Sequence, residues 1–370
     1  EDKLNSIPDD FRLLCLNRQW RNFILSDGFE PGSTYKTFTI SGAVEESVLK
    51  GDETFYCEGV KQVEDYPIHC HNHQGHGTVT IEQALMQSCN VALMDIAEAE
   101  GRSVFSKYQQ TFGFGKKTGI DLSGEASGLV YEEDGLNPVE LATSSFGQGL
   151  TVTMIQNGAA FCSVINGGKY YEPHMVKQIV DENGGVIKNI EPVVLRKTIS
   201  EETSQFMRET LFKVVDSGTG QKVKVEGYTI GGKTGTAEKL PRNNGKYLLS
   251  FIGFAPVDNP QVVVYVTVDE PDVEDQSATG YGTILAHSIF EKLLPYMNVN
   301  QTGDSSSQGD ASIGDETITP VFDGQAPQEQ LSSQEGEDTQ ASTQAASEVS
   351  TQTTEAVTEA TTEPTTPATQ

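Results

Sequence analysis

No stretch of this 370-residue chain approaches the roughly 20 consecutive apolar residues that a membrane-spanning helix needs. The longest candidate, Val262 to Val268, has the length of a strand. The chain begins at Glu1 and carries no signal-peptide pattern, so either a processed soluble protein or a fragment is expected. Cysteine is scarce: Cys15, Cys57, Cys70, Cys89 and Cys162 are too few for a disulfide scaffold and leave the redox compartment open. Basic residues are scarce too. With 25 Lys and Arg against 53 Asp and Glu, the formal net charge of −28 argues against holding nucleic acid or anionic lipid by bulk charge.

The imbalance is uneven along the chain. Residues 301–370 hold 13 acidic residues and no Lys or Arg, with Ser, Thr, Gln, Glu and Ala filling most of the rest. Such a segment cannot bury enough apolar surface to offset its chain entropy, so a disordered tail is expected there. Setting those 13 charges aside leaves −15 over residues 1–300, an ordinary acidic region long enough for one large core.

What is present reads as helices first and strands later. An amphipathic segment runs from Asp10 to Leu25, and apolar residues at mostly helical spacing follow from Ser33 to about Val48. Residues 51–77 read as an irregular, hairpin-rich insert. Thr80 and Gln83 form a capping-box pattern before a short helix, Ser88-Cys89-Asn90 interrupts, and a helix from Val91 stops at Gly101. Residues 102–150 look glycine- and loop-rich. Thr153 to Val164 and Ser200 to Val215 read as helices, with a hairpin around Asn183-Gly184-Gly185 between them. Strands are expected over Tyr228–Glu238, Tyr247–Ala255 and Val262–Val268, and a closing helix over Thr283–Met297. The order implies an α+β fold with an antiparallel sheet flanked by helices.

Three short polar motifs carry the chemistry. In Glu30-Pro31-Gly32-Ser33-Thr34-Tyr35-Lys36, a turn precedes a helix start, and Ser33 and Lys36 share one helix face. A serine is a weak nucleophile without a base in reach, and a lysine serves as that base only where its surroundings keep part of it neutral. Ser88-x-Asn90 sits in a break between helices, and Lys233-Thr234-Gly235-Thr236 lies on a strand. Each is weak alone, since Ser-x-x-Lys occurs by chance in many chains of this length. Their order and contexts together are specific.

This set resembles the penicillin-recognising serine transpeptidases and β-lactamases. The longer strings Met86-Gln87-Ser88-Cys89-Asn90 and Ser145-Phe146-Gly147-Gln148-Gly149, with the Ser33 string, look most like class B penicillin-binding proteins. The resemblance spans roughly residues 10–297. It implies a transpeptidase domain over 1–300, expected to lack its first helix and strands, and a membrane anchor upstream. It further implies Ser33 as the nucleophile, Lys36 as its base, Ser88 as a proton relay and Asn90 as a substrate-amide and Lys36 partner. Lys233 would supply positive potential, Thr234, Gly235 and Thr236 would bind the substrate, the two threonine hydroxyls gripping its terminal carboxylate, and the Ser33 and Thr236 N–H groups would form the oxyanion hole. The implied partners are peptidoglycan stem peptides, β-lactam antibiotics and a cell-wall synthesis complex with a glycosyltransferase, on the outer face of a bacterial membrane. No cofactor and no metal is implied.

Two alternatives compete with this reading. A β-lactamase would need fast deacylation, and Glu133-Asp134-Gly135-Leu136-Asn137 matches the string one lactamase class uses for it. A penicillin-binding sensor domain would acylate once and signal. The ligand-rich stretch of Cys57, Cys70, His71, His73 and His76 matches no standard zinc spacing and reads as a loop with polar surface histidines. Cys89 lies inside the second motif, 19 positions after Cys70, and a redox pair of these two thiols is the remaining expectation.

Overall fold

The computed structural model describes residues 8–277 and 280–301. The tail expected to be disordered therefore lies, beyond residue 301, outside the described residues. The chain enters through helix α1 (Asp9–Trp20) and the single turn α2 (Phe23–Ser26), capped by Asn22, whose side chain accepts the Ile24 N–H at 3.1 Å. The helix expected from Ser33 to Val48 is corrected. A 3-10 turn (Gly32–Thr34) comes first, and α3 (Lys36–Glu45) follows. Buried on every side from Lys36 to Ala43, α3 is a central helix rather than an amphipathic surface one.

The insert is more regular than its sequence suggests. It contains β1 (Thr54–Cys57), β2 (Val60–Val63), β3 (Tyr66–His69) and β4 (Gly77–Thr80). The outer two pair antiparallel, and the inner two form a hairpin. The expected capping box opens α4 (Ile81–Met86): Thr80 Oγ1 accepts the Gln83 N–H at 3.2 Å, and Gln83 Oε1 accepts the Thr80 N–H at 3.0 Å.

Two helices occupy the stretch expected to be loop. At Gly101 (φ 77°, ψ 157°) helix α5 (Asn90–Thr111) breaks but does not end. Its second half is anchored by Phe105 and Tyr108, which with Phe112 and Phe114 pack against Tyr35 and Phe38. Helix α6 (Pro138–Ser145) is capped by Asn137, with proline in its first turn where no N–H is needed.

Beyond it, α7 (Met154–Ile165) starts at a second capping box, Thr153 with Gln156. Then come β5 (Lys169–Tyr171), the expected hairpin of β6 (Gln178–Val180) and β7 (Val186–Asn189), and β8 (Val194–Lys197), which pairs with β5. Helix α8 (Glu201–Ser217) packs on the central sheet. That sheet consists of β9 (Gly231–Glu238), β10 (Tyr247–Ala255) and β11 (Val262–Asp269), antiparallel with β10 in the middle. Among the described residues no further strand joins it. Helix α9 (Gly280–Tyr296) covers its other face.

The two-residue period of β10 divides the core. Ile252 and Phe254 join the large cluster built from the helices, while Phe251 and Ala255 meet Phe290 and Leu294 of α9. Burying each such large side chain contributes about 1.5–3 kcal/mol, so β9 is held against a sheet fixed from both sides. The fold is α+β, with antiparallel sheets and flanking helices. No helix among the described residues is long and apolar enough to cross a membrane.

Candidate active site

Ser33 is placed by two glycines that allow close backbone approach. Gly32 has φ +54°, and a Cβ there would lie 2.8 Å from the Thr236 carbonyl oxygen. A Cβ on Gly235 would lie 2.2 Å from Ser250 Oγ and 3.0 Å from Thr34 Cγ2. The 3-10 turn can therefore lie directly on β9. The Gly32 N–H donates to the Gly147 carbonyl at 3.0 Å, which ties the first motif to the Ser145–Gly149 string. Asn157 of α7 donates to Thr34 Oγ1 at 3.1 Å and to the Tyr265 hydroxyl at 2.9 Å, fixing the turn to β11 as well. Arg242 holds Glu30 through both carboxylate oxygens, at 2.8 and 2.7 Å, and Glu30 in turn accepts the Gly149 N–H at 3.0 Å.

Ser33 opens on a cleft of about 550 Å³ that also exposes Ser88, Asn90, Thr234 and Thr236. Behind it stand two fully buried lysines. Lys36 Nζ donates to the Ser88 carbonyl at 2.6 Å, to Asn90 Oδ1 at 2.6 Å and to Ser88 Oγ at 3.1 Å. Lys233 Nζ donates to the same Ser88 Oγ at 3.0 Å and to the Thr234 carbonyl at 3.1 Å. The Ser88 hydroxyl thus sits between the two amines. Its backbone has φ +55°, a left-handed conformation uncommon for a non-glycine residue and of the kind that collects at functional sites.

Among the described residues neither lysine forms an ion pair with a carboxylate. Burial therefore dominates. It pulls the Lys36 amine down to about 8, against the opposing influence of the Cys70, Cys89 and Cys57 thiols. Lys233 is pushed well below the ordinary lysine range, first by burial and then by the facing Lys36 charge. Two amines sharing one hydroxyl cannot both stay fully charged, and they titrate as a pair. The arrangement keeps a fraction of neutral amine available at neutral pH.

Thr219 was not visible as a site residue from the sequence. It follows the end of α8, and its N–H donates to the Met86 carbonyl at 3.0 Å. Its Oγ1 lies 3.1 Å from Thr234 Oγ1, facing the cleft. The only local sign, Ser217-Gly218, reads as a helix end. Glu133 of the lactamase-like string is exposed on a different cavity, beside Lys116 and Arg196, and is not part of the Ser33 cleft.

The surface-loop reading of residues 57–76 needs correcting. His71 and His73 are exposed and border the cleft. Cys57 and Cys70 are buried, however, and with His76 and Cys89 they form one cluster whose Sγ and Nδ1/Nε2 atoms lie within 4.8 Å of one another. Hairpin closure causes this: Cys57 ends β1, Cys70 follows β3, His76 precedes β4, and Cys89 caps α5. All three thiols are free. Cys70 is held low, first by the hydrogen bond from Cys89, and Cys89 is correspondingly raised. The expected neighbours Cys70 and Cys89 are brought together, but as two members of four.

Residues 3–294 match the family model of the penicillin binding protein transpeptidase domain. Stage V sporulation protein D of Bacillus subtilis is 40% identical over 300 residues, which cover 79% of this chain and 46% of that protein. PbpB of Mycolicibacterium smegmatis is 31% identical over 301 residues, covering 78% of this chain and 46% of that one. The chain spans about half the length of these curated relatives, at 46%. Among solved structures, penicillin binding protein 3 of Mycobacterium tuberculosis complexed with aztreonam aligns with a TM-score of 0.70 at 28% identity, covering 77% of this chain and 67% of that one.

Proposed function

The chain belongs to the penicillin-binding protein transpeptidase family, and from that premise we propose that it is a peptidoglycan D,D-transpeptidase that works through an acyl-Ser33 intermediate. The observation that carries the reading is the Ser88 hydroxyl held at 3.1 Å by Lys36 and 3.0 Å by Lys233 beside the cleft on which Ser33 opens. Ser33 Oγ attacks the carbonyl carbon of the penultimate D-alanine of a stem peptide, and neutral Lys36 takes the hydroxyl proton. The Ser33 and Thr236 N–H groups receive the developing oxyanion; one such donor is typically worth about two to three orders of magnitude in rate. As the tetrahedral adduct collapses, Ser88 passes a proton to the departing D-alanine amine and takes up in its place the one that Lys36 removed from Ser33, which returns Lys36 to its neutral form. The amine of a second stem peptide then attacks the acyl carbon and regenerates Ser33.

Lys233 acts through its positive potential, and Thr234, Thr236 and Thr219 form the wall that meets the substrate's terminal carboxylate. A β-lactam enters the same path and stops at the acyl-enzyme. No step requires a cofactor. The domain acts outside the cytoplasmic membrane, beside a glycosyltransferase that makes the glycan strands.

The test is labelling of the full-length protein with a fluorescent penicillin. Wild type labels covalently and Ser33→Ala does not, with both giving the same circular dichroism spectrum. Undiminished labelling of Ser33→Ala would place the nucleophile elsewhere.

A further inference from the structure

We propose that Cys57, Cys70, His76 and Cys89 bind one zinc ion, a closed four-ligand centre that clamps the insert to the Ser88-Cys89-Asn90 loop. The chemistry of the donor set comes first. Three thiols and one imidazole with no carboxylate suit a borderline-soft ion such as Zn²⁺ rather than Ca²⁺ or Mg²⁺. Burial of the three cysteines leaves no open position for water, the pattern of a structural site.

Distances agree with this. Cys57 Sγ and Cys70 Sγ each lie 3.6 Å from His76 Nδ1. With Zn–S about 2.3 Å and Zn–N about 2.0–2.1 Å, a tetrahedral S···N edge is about 3.6 Å and an S···S edge about 3.8 Å. All four donors fall within 4.8 Å of one another, so side-chain torsions need to close the widest gap by only about 1 Å. Ordinary hydrogen bonding explains the cluster less well. Nδ1 has a single in-plane lone pair when unprotonated and a single proton otherwise, so it cannot serve two equidistant thiols equally. A cation between them can.

Backbone donors complete the shell. The Asn90 N–H donates to Cys70 Sγ at 3.3 Å, and the Ala92 N–H donates to Cys89 Sγ at 3.4 Å. Both come from the first turn of α5, where unpaired N–H groups favour the negative charge of a bound thiolate. On binding, each thiol releases its proton to solvent and no electron moves; three thiolates and Zn²⁺ leave a net charge of −1. The ion then fixes the residue between Ser88 and Asn90, and so holds Ser88 in its left-handed conformation between the two lysines. A disulfide between Cys70 and Cys89 would remove two of the four ligands.

The test is zinc content of the full-length protein, purified without chelator and measured by inductively coupled plasma mass spectrometry. One zinc per chain is expected, released stoichiometrically by an organomercurial. Cys57→Ser and His76→Ala should each lower zinc affinity by on the order of tenfold or more, while Cys15→Ser and Cys162→Ser retain the metal. Cobalt substitution of wild type should give the intense visible bands of a tetrahedral thiolate site. Folded wild type without zinc, whether its thiols are free or Cys70 and Cys89 are joined, would overturn the proposal. So would full zinc retention by the Cys57→Ser/Cys89→Ser double variant. These readouts are independent of penicillin labelling, so they separate failure of the metal site from failure of the proposed reaction.

Discussion

The cleft and the cysteine cluster meet at residue 89, yet they are written into the chain in opposite ways. Ser33, Lys36, Ser88, Asn90 and Lys233 belong to short strings whose immediate neighbours carry the context each motif needs. Cys57, Cys70, His76 and Cys89 stand 13, 6 and 13 positions apart, across four elements, and only hairpin closure unites them. The cleft is polar and open, with two unneutralised amines behind it. The cluster holds three buried thiols and one partly exposed imidazole. In the proposed reading one region performs the chemistry, while the other fixes the geometry in which that chemistry occurs.

The account predicts that damage spreads from the cluster to the cleft and not back. The largest effect belongs to Lys36→Ala, which should lower the penicillin acylation rate by roughly two to four orders of magnitude, as loss of a general base does. Stopped-flow acylation kinetics at saturating and subsaturating penicillin measure it, and zinc content should be unchanged.

Next in size is the pH dependence. Lys36 lies at about 8, below its ordinary value, and in the proposed reaction the neutral amine is the working form. The rate should therefore rise with pH through about 8 and fall roughly tenfold per unit well below it. A profile flat between pH 6 and 9 would remove Lys36 from the role of base.

Cys57→Ser, remote from the reacting atoms, should lower acylation about tenfold, because small displacements near the chemistry carry large rate penalties. Ser33→Ala should keep its full zinc content. If loss of zinc left the rate unaltered, the clamp would have no bearing on the cleft. Thr219→Val should be milder. Loss of one neutral hydrogen bond of about 1 kcal/mol corresponds to roughly a fivefold rise in penicillin dissociation constant. Smallest is truncation of residues 302–370, which by composition should change neither acylation rate nor melting temperature; a shift of several degrees would show that the tail docks.

How much was legible follows from these same residues. Strand β11 could be read because β-branched residues dominate it from Val262 to Val268, and β10 because it is apolar apart from Ser250 and Gly253 and is bounded by turn signals. The second half of α5 was hidden by Gly101, a residue that normally ends a helix but here only breaks it, because Phe105 and Tyr108 have a core to enter. Helix α6 announced itself by Asn137-Pro138, but the glycines around it drew attention to loops. Thr219 owes its position to the packing of α8 on β9, which leaves no local pattern. The stretch from Cys57 to His76 reads as a loop because its spacing fits no compact motif, and the fourth member of the cluster, Cys89, belongs to another string.

The most direct measurement is peptide mapping of the full-length protein after reaction with a penicillin, by tandem mass spectrometry. The account predicts a single adduct on Ser33, formed by wild type and by Cys57→Ser but more slowly in the variant. An adduct on Ser88, or on any residue outside the Ser33 turn, would contradict it.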